Sequence, residues 1–440
     1  MNTNILTNDK LSLGNKFLRY LIPSVTSMWI FSMYTMVDGI FVSKGVNSLA
    51  LASVNISMPF INFIFAISLL LSTGASTLIA IYIGKKDLKS ASKLFTFSIV
   101  TIVCLSIFIL IATYLNLDKL AIILGATDST IDMVKNYLRI IIFFNGFYIV
   151  SYSLEVIVKA DGFPILATIG VIISALTNII LDYIFVIKMN FGIEGAAYAT
   201  GISQIFSTLF FISHFFNKRS TLKFCKFELD FKSLRKMIAI GFPDSITEFS
   251  TGAVLLLFNV SIQKYIGDIG IVYYSIINYI NILVTMTMSG ITQALQPISS
   301  YYFGAGDKEK INKLFKMGIK TITFTSIGIF ILCIIFSRHI VSLFINENIE
   351  TILEATRVFK IFSFSFLFLG FNILISGFFV SIAKPIISTI ISVSRGFIIV
   401  SISLFLMVNL FGGEGIWYTT IISEIICIVI SIILFRKSKL

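Results

Sequence analysis

The stretch Asn178-Ile179-Ile180-Leu181-Asp182 lies within an apolar run, residues 165–187, that is long enough to cross a membrane. A carboxylate at that depth costs roughly 3 kcal/mol on insertion scales, so such residues are candidates for function. Residues four apart share one face of a helix, so Asn178 and Asp182 point the same way. Their oxygens suit a proton or a small alkali cation such as Na⁺. The alternative is a buried polar pair that only joins two helices.

The composition is that of a membrane protein made of helices. Of the 440 residues, 57% are hydrophobic and 13% are charged, whereas soluble proteins carry about 25% charged residues. The apolar runs are near the ~20 residues of a helical span rather than the ~10 alternating residues of a barrel strand. We therefore predict an all-α membrane protein with twelve transmembrane helices, at residues 16–42, 50–83, 93–115, 132–158, 164–188, 192–216, 234–262, 270–303, 311–337, 352–382, 385–410 and 413–435.

The net charge of +12 is distributed as membrane topology requires. Lysine and arginine concentrate at both ends of the chain and in the even-numbered connections between spans, most densely in residues 217–236. Positive-inside bias then places both termini in the cytoplasm, in a multi-pass protein of the plasma membrane. We assign this charge to topology and to lipid headgroups, and we expect no nucleic-acid partner.

The chain repeats itself with a constant offset of 220 residues. The offset relates Lys16 to Lys236 and Pro23 to Pro243, and it also relates residues 82–95 to 302–315 and 191–200 to 411–420. Each repeat has six spans, so the halves have parallel topology, with a pseudo-twofold axis along the membrane normal and a substrate cavity between them.

The repeat also predicts the domain organisation. We expect an N-terminal six-helix lobe, a cytoplasmic basic linker and a C-terminal six-helix lobe, at residues 1–216, 217–233 and 234–440. We expect the chain to act as a monomer.

Two further residues of the first half are candidates. Asp38 lies toward the outer end of the first span, where it could face the Asn178–Asp182 pair or serve as an interfacial cap. Pro23, in the same span, removes a backbone hydrogen bond and permits a bend, which makes it a candidate hinge. Counted from the outer ends of their spans, Asp38, Asp182 and Thr200 lie at similar depth.

Other intramembrane charges have open interpretations. Glu155 could face a cavity, although pairing with Lys159 one turn later is the favoured interpretation. Asp244 and Glu248, one turn apart beside Pro243, could bind substrate or couple ions, or they could be helix-start and packing charges.

The polar residues break the repeat symmetry. The offset maps Asp38, Asn178 and Asp182 to the apolar residues Phe258, Ile398 and Ile402. The cation chemistry is therefore predicted for the first half only. The second half has a lone Arg395, in the eleventh span of the chain. The two histidines, His214 and His339, have no visible partner.

Several functional classes lack their motifs. The chain has no G-x-x-x-x-G-K-[ST] phosphate loop, so ATP hydrolysis is not expected. Its four cysteines have no metal-ligand spacing, and no nucleophile–base set occurs at one depth. We expect no cofactor and no enzymatic activity, with an integral-membrane enzyme as the weaker alternative.

The chain resembles the MATE family (multidrug and toxic compound extrusion) of the multidrug/oligosaccharidyl-lipid/polysaccharide flippase superfamily, and its DinF-like branch in particular. The resemblance covers nearly the whole chain and rests on Val37-Asp38, Tyr82-Ile83-Gly84, Asp161-Gly162-Phe163-Pro164, Asn178-Ile179-Ile180-Leu181-Asp182 and Gly192-Ile193-Glu194-Gly195-Ala196-Ala197-Tyr198-Ala199-Thr200. It implies two six-helix lobes in a V and export of amphipathic, often cationic compounds in antiport with H⁺ or Na⁺.

The resemblance also implies site residues. Asp38, Asn178, Asp182 and Thr200 match the first-lobe cation site of the DinF-like branch, which could hold Na⁺, and Pro23 matches its bending proline.

The chain departs from its relatives in two places. Tyr183 stands where they often have proline, and the tenth span lacks an acid found in the NorM-like branch. A flippase of lipid-linked or polysaccharide precursors is the alternative within the superfamily. It would need several basic residues in its cavity, and Arg395 alone is thin support for that.

Overall fold

The computed structural model describes residues 4–344 and 349–438, and all regular structure in this part of the chain is helical. The helices follow the apolar runs of the sequence. Their bounds are α1 Leu13–Gly45, α2 Ser48–Gly84, α3 Leu88–Tyr114, α4 Leu117–Ile123, α5 Ile131–Ala160, α6 Pro164–Asp182, α7 Gly192–Phe216, α8 Phe231–Tyr265, α9 Asp268–Gly304, α10 Lys308–Ile335, α11 Ser337–Ser342, α12 Ile349–Ser363, α13 Phe366–Ser381, α14 Pro385–Val393, α15 Ile399–Phe411 and α16 Gly415–Lys437.

The prediction of twelve membrane crossings is confirmed. Within the described residues, eleven helical stretches are long and apolar enough to cross a membrane, and the last of them, Pro385–Lys437, has 53 residues. At 1.5 Å per residue that stretch would be about 80 Å long, against a bilayer core of about 30 Å. It reverses direction at Gly412, whose φ of +61° is a left-handed conformation that favours glycine. It therefore crosses twice.

One crossing is not the single helix that the sequence predicts. The tenth span, predicted at residues 352–382, is divided between α12 and α13. At the break, main-chain N–H groups bond to carbonyls three residues earlier, including Phe368 N to Ser365 O at 3.0 Å. No proline marks this position, so the break could not be predicted from a helix-breaking residue.

The repeat extends to local structure. Asp87 and Asp307, 220 residues apart, both cap a helix by accepting a hydrogen bond from a backbone N–H, of Ser90 and Lys310, at 3.0 Å. Side-chain hydrogen bonds from the same two residues hold the pKa of both carboxyl groups below the usual aspartate value. The short helices α4 and α11, which the sequence analysis missed, are also related by this offset.

The two halves meet in a contact that obeys the pseudo-twofold. A Cβ added to Gly84 would lie 1.9 Å from the carbonyl oxygen of Tyr301, and one added to Gly304 would lie 2.0 Å from that of Ile81. The residues of both contacts exchange under the 220-residue offset, so one contact is made twice around one axis. Since α2 and α9 end here, the halves touch on the side of the membrane where the chain begins.

The N-terminal segment connects the two halves on this side. Asn4 donates to the main-chain oxygen of Asp161 at 2.7 Å, and the N–H of Ile5 donates to that of Gly162 at 3.1 Å. Ile5 and Leu6 are buried in the apolar core of the second half. Residues 4–6 thus join the α5–α6 turn of the first half to the second half.

His214 has a partner, contrary to the sequence analysis. Its Nε2 lies 2.8 Å from Oδ2 of the buried Asp161, and the N–H of Thr221 donates to Oδ1 of the same carboxylate at 3.1 Å. The first residues after α7 are therefore fixed to the α5–α6 turn.

Candidate ion and substrate site

The four residues predicted to form a cation site lie on three helices that pack together. Asp38 is on α1, Asn178 and Asp182 are on α6, and Thr200 is on α7. Asn178 and Asp182 are completely buried. The Asn178 side-chain amide lies 3.5 Å from the Thr200 hydroxyl, a long hydrogen bond. The carboxyl groups of Asp38 and Asp182 face each other at hydrogen-bonding range.

This cluster has oxygen acceptors without matching donors. Both carboxylate oxygens of Asp182, the amide oxygen of Asn178 and Oδ1 of Asp38 are buried and lack a hydrogen-bond partner among the described residues. Two carboxylates can hydrogen bond to each other only if one of them carries a proton. Buried acceptors and buried charge both need compensation. A proton or a bound cation such as Na⁺ supplies this compensation. The oxygen atoms of the cluster therefore fit the ions that the sequence predicts.

A π-helical segment, Tyr183–Lys188, begins directly after Asp182. Such segments are rare and occur frequently at functional sites. It is packed closely on both sides: a Cβ on Gly45 of α1 would lie 2.6 Å from the Val186 side chain, and one on Gly195 of α7 would lie 3.1 Å from the Phe185 main chain. Small residues on α1 and α7 thus let both helices approach the segment that ends at the acid.

Tyr137 and Tyr34 lie beside the candidate site, and the sequence reasoning missed both of them. Tyr137, on α5, is buried within electrostatic range of both Asp38 and Asp182. Tyr34 lies one turn before Asp38 and interacts with it. The one-turn spacing of Tyr34 was visible in the sequence, whereas Tyr137 comes from a distant helix and had no local signal.

Pro23 lies inside α1 and is connected to the helix that carries the acid. Its carbonyl oxygen accepts a hydrogen bond from the Thr168 hydroxyl of α6 at 2.9 Å, and Ser27 donates to that hydroxyl at 2.9 Å. A proline ring leaves one carbonyl of the preceding turn without its helical donor. The bend-permitting region of α1 is therefore bonded to α6, some ten residues before Asn178.

Glu155 does not join the four-residue cluster. Its Oε1 accepts from Lys159 Nζ at 2.7 Å, as the favoured interpretation predicts. Lys159 also donates to Gln293 on α9 at 3.2 Å, so the ion pair lies where the halves meet. Pairing satisfies the charge of Glu155 within the membrane.

Asp244 and Glu248 also lie between the halves. Both are half-buried and in the middle of α8, so the interpretation as helix-start charges is wrong: α8 begins at Phe231 with Asp230 as its cap. The carboxyl group of Asp244 interacts with the side chains of Thr73 on α2 and Gln296 on α9.

An aromatic group faces these acids. Tyr152 interacts electrostatically with Glu155, Asp244 and Glu248. Its ring packs edge-on against Phe65, with ring centroids 5.2 Å apart. The set continues with T-shaped or stacked contacts among Phe31, Tyr34, Phe65 and Tyr148. Acids from both halves and aromatic rings from the first half therefore lie together in one region.

Arg395 is not a lone charge. It donates to the buried Glu424 of α16 at 2.9 Å. Sequence reasoning did not single out Glu424, because a single acid in an apolar run gives no indication of its partner.

Comparison with known proteins agrees with this architecture. A family model described as MatE matches residues 23–184 and 243–407. "Multidrug export protein MepA" of Staphylococcus aureus (strain NCTC 8325 / PS 47) is 27% identical over 428 residues, covering 95% of this chain and 92% of that protein. The protein of the same name from Staphylococcus saprophyticus is 25% identical over 425 residues, with the same coverage.

A solved structure shows the same fold. It is described as the outward-facing conformation of a multidrug resistance MATE family transporter of the MOP superfamily. The two structures superpose with a TM-score of 0.92 at 22% identity, covering 99% of this chain and 97% of that one.

The duplicated twelve-span fold, with buried ion-type oxygens in one half and a polar region between the halves, defines a multi-pass membrane transporter. The chain belongs to the MATE family, and the family match covers both of its halves. The predicted fold, two six-helix lobes in a V, is confirmed.

Proposed function

We propose that this protein is a secondary active multidrug exporter that moves amphipathic, often cationic organic compounds in antiport with H⁺ or Na⁺. The observation that carries the proposal is the cluster of Asp38, Asn178 and Asp182, whose buried oxygens lack donors. A transporter driven by an ion gradient needs a site that gains and loses a positive charge, and this cluster is complete only with such a charge.

The region between the lobes favours positively charged substrates. Asp244 and Glu248 provide negative charge, and within the described residues neither forms a salt bridge. Tyr148 and Tyr152 lie beside these acids, and the faces of aromatic rings attract organic cations. A lipophilic cation would thus gain both charge compensation and apolar contact.

Tyr34 connects the ion cluster with the substrate region. It interacts with Asp38 on one side and with Glu155 on the other. Since Pro23 of the same helix is bonded to α6, ion occupancy between α1 and α6 can change the shape of α1 and of the region it lines. Ion and substrate would then compete through α1.

We place the protein in the plasma membrane as a monomer, with both termini and the basic linker in the cytoplasm in contact with lipid headgroups. Lys93 and Glu228, 2.8 Å apart, join the start of α3 to this linker, and the lysine holds the pKa of Glu228 below its usual range. The remaining linker charge is mostly basic, which suits an anionic leaflet.

The structure does not favour the alternative function, a flippase of lipid-linked sugars. That function would need free basic residues for a pyrophosphate, and Arg395 is paired with Glu424. The acids between the lobes have the opposite polarity. Nothing in the site resembles a catalytic set either, so we propose transport without chemistry.

The test is transport by purified protein in liposomes. A proton or sodium gradient is imposed and movement of a fluorescent organic cation is followed. We expect movement against the substrate gradient that stops when the ion gradient is collapsed. Imposing each ion gradient separately identifies the coupling ion.

Two outcomes would contradict the proposal. Absence of gradient-dependent movement across a panel of cationic and neutral substrates would remove the exporter function. Product formation from a substrate would favour an enzyme instead.

A further inference from the structure

The C-terminal lobe has a buried carboxylate of its own. Glu424 is the tenth residue of α16, about 14 Å along the helix and therefore deep within the bilayer. Its side chain is only 6% exposed. An acid at this depth needs a partner and is a candidate for function.

Unlike Asp182, this carboxylate has donors on both oxygens. Arg395 Nε donates to Oε1 of Glu424 at 2.9 Å, and Asn372 Nδ2 donates to Oε2 at 2.7 Å. Asn372 is fixed in turn by Ser431, which donates to its amide oxygen at 3.2 Å. The charge and the acceptor capacity of Glu424 are therefore met by the protein itself.

The pseudo-symmetric positions of the first lobe have no such charge pair. The 220-residue offset places Gln204 at the position of Glu424 and Ala175 at that of Arg395. Gln204 donates to the Ser174 hydroxyl at 3.2 Å, so the equivalent helices are joined there by a neutral hydrogen bond. The buried acid–base pair is therefore a feature of the second lobe that the 220-residue offset does not repeat in the first lobe.

The base lies on a π-helical segment, Ser394–Ile398. Among the described residues, each lobe has one such segment, and the other, Tyr183–Lys188, follows the acid Asp182. Each lobe thus combines a buried acid with a local π distortion. In the first lobe the acid lacks a counter-charge, and in the second lobe Arg395 provides one.

We propose that Arg395 determines the ion stoichiometry of transport, because its guanidinium permanently occupies the place of a coupling cation beside Glu424. The inference rests on the proposed function. A guanidinium does not give up its proton in proteins, so this pair cannot release a charge as the first-lobe cluster can. Only the first lobe then exchanges an ion.

Other ionisable groups near the pair do not replace the guanidinium. Asp244 and Glu248, on the helix α8 that packs against the π segment, are acids and cannot act as a cation beside Glu424. The Cys427 thiol of α16 interacts with both Glu424 and Arg395. On the packed helix α12, Arg357 is paired with Glu354 and with Glu414, both at 2.6 Å. Removal of the guanidinium therefore leaves Glu424 dependent on an external cation or proton.

The test measures how Na⁺ and pH change the melting temperature of purified protein. The background variant is Asp38→Asn/Asp182→Asn, which lacks both first-lobe acids. In this background, any shift of the melting temperature with Na⁺ or pH comes from groups other than the first-lobe pair, such as Glu248 on α8, and serves as the baseline. Adding Arg395→Gln should create a new upward shift with Na⁺ or with falling pH. Adding Glu424→Gln as well should abolish that shift, and Arg395→Lys should not produce it.

The proposal would be overturned if Na⁺ or pH shifts the melting temperature of the Arg395→Gln variant no more than that of its background.

Loss of one member of a buried pair can prevent folding, so the neutral pair Arg395→Gln/Glu424→Gln is tested in the otherwise unchanged protein. We expect it to keep gradient-driven export with the same number of ions per substrate. Loss of export in this folded variant would also overturn the proposal, since the pair would then take part in coupling. The melting experiment needs no transport, so its failure is distinct from failure of the proposed function.

Discussion

Replacement of either first-lobe acid should uncouple export from the ion gradient. Asp38→Asn or Asp182→Asn removes one of two facing negative charges, and the new amide can donate to the carboxylate that remains. The pair of facing carboxylates that could share a proton or hold a cation is then lost. Folding should be retained, because removal of a charge from the bilayer eases insertion.

The size of the effect follows from the gradient. A pH difference of two units stores about 2.7 kcal/mol per proton, at about 1.36 kcal/mol per unit. Exchange of one proton for one monovalent cation can therefore sustain a roughly 100-fold substrate ratio across the membrane. Without coupling the ratio falls to about 1. A sodium gradient of about 100-fold gives the same figures.

The assay follows a fluorescent cation in liposomes that contain equal amounts of folded protein. The double variant Asp38→Asn/Asp182→Asn should lose little beyond either single variant, because groups that act as a unit are not additive. Full gradient-driven export by both single variants, together with its loss in Glu248→Gln, would show that ion coupling depends on the second lobe and not on Asp38 and Asp182.

Three further changes test separate parts of the structure. Glu248→Gln should weaken binding of a cationic substrate by about tenfold, or about 1.4 kcal/mol, while a neutral analogue binds unchanged; equal losses for both ligands in a binding titration would argue against a charge contact. Gly304→Ala places a methyl group 2.0 Å from a main-chain oxygen of α2 and should cost about 1–3 kcal/mol of stability by overpacking. Gly328→Ala, with open space around it, is the matched control. Equal melting temperatures of the two variants would contradict the close contact between the lobes. Thr168→Val removes the 2.9 Å hydrogen bond to Pro23 and should lower the export rate at unchanged substrate affinity; an unchanged rate would show that this bond does not support movement of α1.

The sequence was informative where the bilayer or the repeat dictates the structure. The sixth span was predicted at residues 192–216, and α7 has those bounds, because a membrane fixes the length of an apolar run. Likewise, the 220-residue offset predicted matching lobes, and the Gly84 and Gly304 contacts follow it. The prediction that Asp38, Asn178 and Asp182 have a joint role in coupling remains a prediction.

The sequence was least informative about contacts between distant helices. Tyr137 reaches the acids from α5, and Glu424 meets Arg395 from another span. Such contacts depend on how helices rotate and pack, which apolar periodicity leaves open in a membrane where most faces are apolar. The π segment after Asp182 and the break between α12 and α13 were also missed, because neither has a glycine or proline signal.

In the proposed mechanism, a cationic substrate that binds between the lobes displaces the ion held at the first-lobe cluster of Asp38, Asn178 and Asp182. This displacement is measured as the charge released when a cationic substrate binds to purified protein, with a pH indicator for protons and a sodium electrode for Na⁺. We predict release of about one proton or one Na⁺ per substrate bound, in keeping with one facing pair of carboxylates. The Asp38→Asn/Asp182→Asn protein should bind substrate without release. Equal release by that variant and by the unchanged protein would contradict this mechanism.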